Sequence, residues 1–314
     1  MKSKLIIFFL AFYCIVVSGQ ESCLPEYSLP VKTIQLSFGK LAYVEKGKGE
    51  TLLFIHGLGG NLSHWIKSVN ALSKYFNCIA IDLPGYGWSD VNRDSLKQDI
   101  LQFYSNIIDE FLDKKKIGEI ALIGHSMGGQ IATINALQNN KVKNLILVAP
   151  AGLETFSEQE GQILIKSTPA IVFEKQAEPI IRYNFKVNFV EQPIDVEQLI
   201  QDRLKLKSCN YFKEYCETVS AGIKGMLLHP IKDSLSLLKM PVCILFGAQD
   251  ALIPNRYLHP TLTSLELTNE ASKLISNCKV EFIENAGHLV QYEKNNETNI
   301  SIQNFIKSTI INKH

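Results

Sequence analysis

The chain of 314 residues lacks an excess of either charge. Lys and Arg total 32 against 31 Asp and Glu, a formal net charge of +1. No basic field for nucleic acid is present, and no polybasic tail. Lys114-Lys115-Lys116 is a short run suited to a solvated helix end, where cations complement the dipole. No C-x-x-C occurs among the seven cysteines, so zinc-ribbon and thioredoxin-type chemistry have no support. Internal repeats and low-complexity tracts are missing as well. No apolar run is long enough to cross a bilayer comfortably: the longest candidate, 5–17, covers only about 13 residues. Lys2 and Lys4 precede that run and Val17-Ser18-Gly19 follows it, so residues 1–19 are expected to be a cleaved signal peptide, with a retained anchor as the alternative. Tyr13 before Cys14 and Ser22 before Cys23 do not make a lipoprotein signature. The expected location is secreted or periplasmic, without a stable membrane anchor after cleavage.

Setting aside Cys14, six cysteines remain. Cys78 and Cys243 lie in apolar strand-like runs and are expected to be buried thiols. Cys209 and Cys216 are seven residues apart, about 10 Å on one helix, too far for a bridge. Export permits disulfides, but no pairing is legible.

What the chain does have is an alternation of buried strands and helices. Residues 33–46 predict a hairpin turning at Phe38-Gly39-Lys40. Thr51-Leu52-Leu53-Phe54-Ile55, Cys78-Ile79-Ala80-Ile81, Ile120-Ala121-Leu122-Ile123 and Asn144-Leu145-Ile146-Leu147-Val148-Ala149 are continuous apolar runs, as expected of strands covered on both faces. A helix between them is predicted from a Ser95-x-x-Gln98 capping box, with Leu96, Ile100, Phe103, Tyr104, Ile107, Ile108 and Phe111 on one face. The alternation lapses over 153–238. There Asp195-x-x-Gln198 is expected to cap a helix carrying Val196, Leu199, Ile200 and Leu204, and four prolines punctuate the stretch. It resumes at Val242-Cys243-Ile244-Leu245-Phe246 and Lys279-Val280-Glu281-Phe282-Ile283, and closes on an amphipathic helix with Ile302, Phe305, Ile306 and Ile310. This pattern means a parallel sheet with helices on both faces and a helical insertion.

Three strand ends carry chemistry. Gly124-His125-Ser126-Met127-Gly128-Gly129 joins a strand to a helix through a sharp turn, the context that gives G-x-S-x-G its meaning. Serine is a poor nucleophile until a base takes its proton, and that base needs a carboxylate to hold its tautomer. Asp250, in Gly247-Ala248-Gln249-Asp250, and His288, in Ala286-Gly287-His288, supply both in the order Ser, Asp, His. Met127, opening a helix, and Leu58, in His56-Gly57-Leu58-Gly59-Gly60, are candidate backbone N–H donors to an oxyanion. Asp82 is expected to fix its loop, Asp82-Leu83-Pro84-Gly85-Tyr86-Gly87, rather than act as the catalytic acid. Glu154, just past another strand end, is the competing candidate for Asp250.

With these motifs in place, residues of about 33 to 312 resemble the α/β-hydrolase superfamily, in its serine-nucleophile branch with a helical cap. Carboxylesterases and monoglyceride-type lipases are the most similar members. The resemblance implies an eight-stranded, mostly parallel sheet with helices on both faces and a cap inserted after the sixth strand. The expected division is 20–152 and 239–314 for the core and 153–238 for the cap. It implies Ser126 as nucleophile, His288 as base, Asp250 as its orienting acid, Leu58 and Met127 as oxyanion donors, and a structural His125. It implies no metal or organic cofactor, and a small-molecule ester substrate with an apolar acyl group. Serine at 126 departs from the dehalogenase and epoxide-hydrolase branches, whose nucleophile is Asp. Carbon–carbon and amide-type hydrolases use the same triad and stay open, as does a non-enzymatic receptor on this fold. An iminopeptidase would need carboxylates facing the site, and Glu174, Glu178 and Glu191 are expected to face water. Most of the large apolar residues of 153–238, among them Phe156, Ile163, Ile171, Val172, Phe189 and Leu228, are expected to be buried within the cap or against the sheet.

Overall fold

The computed structural model describes residues 23–311 apart from 92, 95, 97 and 98. The expected signal peptide therefore lies outside the described residues. Eight strands form one sheet: β1 (Lys32–Leu36), β2 (Gly39–Lys46), β3 (Thr51–Ile55), β4 (Asn77–Ile81), β5 (Ile120–His125), β6 (Val142–Val148), β7 (Val242–Gly247) and β8 (Cys278–Ile283). Their spatial order is β1-β2-β4-β3-β5-β6-β7-β8. β2 pairs antiparallel with β1 and β4, and every pair from β4 to β8 is parallel.

The two faces of the sheet read directly from alternate residues. Leu53, Ile55, Leu122, Leu147 and Phe246 pack on one side with the helices α2 (Ile100–Lys114) and α3 (Met127–Gln138). Leu52, Phe54, Ile123, Val148 and Leu245 pack on the other with α1 (Ser63–Leu72) and the last helix (Asn295–Ile311). Strands covered on both sides need no polar residue, hence the unbroken apolar runs. Cys78 and Cys243 are buried free thiols within them.

The chain order reverses between β3 and β5. After β3 the chain adds β4 on one side, then returns to add β5 on the other. In an open α/β sheet this switch point opens a crevice at the carboxyl ends of the strands. Ile55 pairs with Gly124 there, so the His56-Gly57-Leu58 and Gly124-His125-Ser126 turns emerge side by side.

Between β6 and β7 run α4 (Glu158–Ser167), α5 (Ala170–Glu174), α6 (Glu178–Lys186), α7 (Val196–Leu206), α8 (Phe212–Leu228) and a 3₁₀ turn (Lys232–Leu237). Burial in this stretch is sparser than expected. Phe189 is buried, but Ile163, Ile171, Val172 and Leu228 are exposed, and neither α4 nor α5 has a fully buried residue. Both helices pack chiefly on α8. Glu178 and Glu191 face solvent as expected, whereas Glu174 is half-buried.

Two helix starts differ from expectation. α2 begins at Ile100, where the Asp99 carboxylate accepts the Leu101 and Gln102 N–H groups at 3.2 Å each. The expected Ser95/Gln98 capping box lies outside the described residues. Asp195 stands at the start of α7 but makes no side-chain cap. Its carboxylate pairs with Lys67 at 2.8 Å instead, and Gln198 donates to Asp202. The ion pair to α1 competes successfully for the capping group.

Among the described residues one disulfide, Cys23–Cys209, joins positions 186 apart and brings their Cα atoms to 5.6 Å. It fastens the segment before β1 to the corner between α7 and α8. Cys216 stays a buried thiol.

Candidate active site

Ser126 closes β5 and starts α3 with φ 54° and ψ −120°, a left-handed backbone that a serine adopts only under constraint. The constraint is visible on both sides. Its N–H donates to the Val148 carbonyl at 2.9 Å, and its own carbonyl accepts Gly129 and Ala151 N–H groups at 2.9 and 3.1 Å. A Cβ at Gly124 would lie 2.1 Å from the Gly128 oxygen, and one at Gly128 would lie 2.5 Å from the Ile55 and His56 oxygens. Strand and helix can approach this closely only with glycine at both positions. The turn leaves Ser126 half-buried while its neighbours Gly124, His125, Met127 and Gly128 are buried.

Asp250 follows β7 and His288 follows β8. The two meet: His288 Nδ1 lies 2.8 Å from Asp250 Oδ2, and both residues are buried. A carboxylate only accepts, so Nδ1 carries the proton and Nε2 is left as the basic nitrogen. The other carboxylate oxygen, Oδ1, accepts Leu252 and Ile253 N–H groups at 2.8 and 3.1 Å, which fixes its orientation. His125, next to Ser126, donates Nε2–H to the His288 carbonyl at 3.0 Å and packs its ring 4.8 Å from the His288 ring. The serine turn and the histidine loop are thereby joined through His125.

Leu58 sits in a turn that orients its N–H by elimination. The Gly57 carbonyl accepts the Gly60 N–H at 3.1 Å and His56 Nδ1–H at 2.8 Å. His56 Nε2 accepts the Leu83 N–H at 3.0 Å, which fixes that tautomer. A trans peptide points its N–H opposite its carbonyl, so pinning Gly57 O also aims the Leu58 N–H. Gly57 packs on Ser126: a Cβ there would come within 3.0 Å of Ser126 Cβ. Met127 is the first residue of α3, whose opening N–H groups have no partner within the helix. Gly222 of α8 covers both positions, its notional Cβ 2.7 Å from Leu58 Cδ1 and 3.2 Å from Met127 Sδ.

The two other carboxylates are engaged elsewhere. Asp82 is buried and accepts the Leu62 and Trp88 N–H groups at 2.8 and 2.9 Å and the Tyr27 hydroxyl at 3.0 Å. Burial pushes its pKa up to about 7 against the lowering effect of those donors. It fixes its loop, as the sequence implied. Glu154 accepts the Asn255 N–H at 3.0 Å and holds His259 Nδ1. Among the described residues no cluster of His, Cys, Asp and Glu is disposed to hold a metal ion. Arg203 of α7 and Tyr215 of α8, which both reach the Gly59 carbonyl, carry no signal in the sequence.

Several imidazoles around the site are held neutral. Burial pulls the pKa of His56 down to about 4. Burial, with His56 and Arg203 nearby, pulls His64 down to about 3, and burial beside His288 pulls His125 well below the usual value. The unfolded chain takes up these three protons below the ordinary imidazole value of 6.5, and the folded chain refuses them. Stability from this source is complete above that value and is lost as pH falls toward the folded values. Asp82 acts with the opposite sign, since its raised pKa favours the folded state as pH falls from about 7 toward 3.8. Three depressed imidazoles against one raised carboxyl leave a net proton uptake on unfolding, so stability is expected to fall as pH drops from roughly 6 toward 4.5. Urea unfolding at half-unit pH steps measures that slope. A flat or opposite slope would show that the buried histidines are not what sets acid stability.

Comparison with known proteins agrees with this architecture. A family model described as alpha/beta hydrolase fold matches residues 50–295. Human monoacylglycerol lipase ABHD6 is 26% identical over 276 residues, covering 83% of this chain and 77% of that protein. The dihydrolipoyllysine-residue acetyltransferase component of the acetoin cleaving system of Cupriavidus necator is 26% identical over 264 residues. That match spans 83% of this chain but only 64% of the relative's length. The esterase of Exiguobacterium antarcticum, a solved structure, shares the fold with a TM-score of 0.71 and 19% identity, covering 88% of this chain and 99% of that one. With its sheet order, its serine turn at the switch point and a family match over most of its length, the chain belongs to the alpha/beta hydrolase fold family.

Proposed function

We propose that this protein is a serine hydrolase that cleaves carboxylic esters through an acyl-enzyme on Ser126. The observation that carries the proposal is the oriented His288–Asp250 pair, 2.8 Å apart, joined through His125 to a serine held at φ 54°. His288 Nε2 takes the hydroxyl proton as Ser126 Oγ attacks the ester carbonyl. The Leu58 and Met127 N–H groups receive the developing oxyanion. His288 then protonates the departing alcohol, and the C–O bond to it breaks. Water, deprotonated by His288, attacks the acyl-enzyme and releases the acid. The monoacylglycerol lipase among its relatives supports esters as the substrate class. The Cys23–Cys209 disulfide supports an exported location, since such bonds persist in oxidising compartments.

In this proposal 153–238 is a cap that supplies an apolar acyl site over the strand ends. A fluorophosphonate probe tests the nucleophile: an enzyme labels at Ser126 and a receptor on this fold does not. A p-nitrophenyl series of acetate, butyrate, octanoate and palmitate tests the acyl site. Each CH₂ taken from water contributes about 0.8 kcal/mol, so medium chains are expected to exceed acetate in kcat/KM by roughly tenfold or more. A maximum at acetate with steady decline would remove the acyl-binding cap and favour a carbon–carbon or small-ester hydrolase.

A further inference from the structure

We propose that Arg203 and Tyr215 are positioning residues that hold the Leu58 oxyanion donor in place by clamping the Gly59 carbonyl, with the Cys23–Cys209 disulfide strapping the corner between them. The proposal presupposes the serine-hydrolase function above and assigns part of its oxyanion site to the inserted helices.

The turn around Leu58 is held at two carbonyls. The sheet side holds Gly57 O through His56, as described. Gly59 has φ +66°, and its carbonyl is met by the Arg203 guanidinium and, at 3.1 Å, by the Tyr215 hydroxyl. The two donors brace each other, with the guanidinium 4.9 Å above the Tyr215 ring. Tyr215 sets its ring edge-on to Tyr86 at 5.7 Å, and Tyr86 does the same to His56 at 5.1 Å. One packed file thus runs from α8 to the histidine that pins Gly57 O. A glycine pair resists rotation poorly by itself, because it lacks side chains to lock it. Two donors converging on one carbonyl from outside the turn supply that resistance.

Cys209 lies in the corner between α7 and α8, six residues from each donor. Its disulfide partner Cys23 belongs to a segment fastened to the Asp82 loop by Trp88 Nε1–H to the Pro25 carbonyl at 2.8 Å and by Tyr27 to Asp82. The strap therefore ties the clamp to the same loop whose Leu83 N–H holds His56. Preorganised donors matter because charge develops only in the transition state, and a donor that must first reorient loses its advantage.

The test uses the disulfide-bonded protein and three variants: Tyr215→Phe, Arg203→Met and Arg203→Lys. Tyr215→Phe and Arg203→Met are each expected to lower kcat for p-nitrophenyl butyrate by roughly tenfold with KM changed by less than about twofold. Affinity for a trifluoromethyl ketone, which forms a charged tetrahedral adduct on serine, should fall by the same factor as kcat. A purely structural loss would lower the thermal midpoint without that parallel. Arg203→Lys keeps a donor and should recover part of the rate. Wild-type kcat and inhibitor affinity in Tyr215→Phe and Arg203→Met would overturn the clamp, as would a raised KM at unchanged kcat. If wild-type protein neither turns over esters nor labels with a fluorophosphonate, the hydrolase function fails and the clamp falls with it. An active wild type with unaffected variants defeats the clamp alone.

Discussion

Ser126→Ala should lose about 10⁴-fold or more in kcat while the protein stays folded. The substitution deletes one oxygen and keeps the Cβ, so the backbone pays the same strain at φ 54° before and after. The hydrogen bonds that hold the turn run through backbone atoms: Ser126 N–H to Val148, and Gly129 and Ala151 to the Ser126 carbonyl. None depends on the hydroxyl. The thermal midpoint should therefore stay within a degree or two, and fluorophosphonate labelling should vanish. Gly128→Ala makes the opposing control. Its Cβ would collide with the Ile55 and His56 carbonyls at 2.5 Å, so it should damage stability and activity together. An active, unlabelled Ser126→Ala protein would end the covalent mechanism.

The strands were legible because a sheet covered on both faces tolerates nothing polar in its interior. Leu52-Leu53-Phe54-Ile55 is apolar without interruption because Leu52 and Phe54 face α1 and the last helix while Leu53 and Ile55 face α2 and α3. The serine turn was legible for a different reason. The approach of α3 to the end of β5 excludes a side chain at 124, its approach to the end of β3 excludes one at 128, and both exclusions are written as glycines at fixed spacing.

What could not be read depends on partners distant in sequence. The disulfide joins positions 186 apart, and no local pattern encodes its partner. Asp195 carries a capping signature, yet Lys67, far away in the chain, takes its carboxylate. Arg203 and Tyr215 look like ordinary members of amphipathic helices until the fold brings Gly59 against them. The burial expected of 153–238 failed on α4 and α5, which pack chiefly on α8, and at Leu228, the last residue of α8. α5 spans only five residues beside α8, so Ile171 and Val172 remain exposed.

Asp250→Asn should cost about 10⁴-fold in kcat, and Glu154→Gln only a few-fold. Both carboxylates lie near strand ends, and each holds a histidine. Asp250 holds His288, whose loop is joined through His125 to the serine turn. Glu154 holds His259, on which Phe156 stacks at 5.2 Å, and braces the loop after Asp250 through the Asn255 N–H. In Asp250→Asn the Leu252 and Ile253 N–H groups still need an acceptor, so the amide oxygen stays with them. The amide NH₂ then faces His288 Nδ1, and two donors cannot share one hydrogen bond. The ring must place its proton on Nε2, the nitrogen that has to accept from Ser126, and the base is lost with the fold intact. Glu154→Gln leaves an oxygen for the Asn255 N–H and weakens only the contact with His259, a change of about 1 kcal/mol in stability. Measuring kcat and thermal midpoint for both variants separates the roles. Loss of catalysis in Glu154→Gln, with Asp250→Asn nearly unimpaired, would transfer the orienting acid to Glu154 and require His259 to replace His288 as the base.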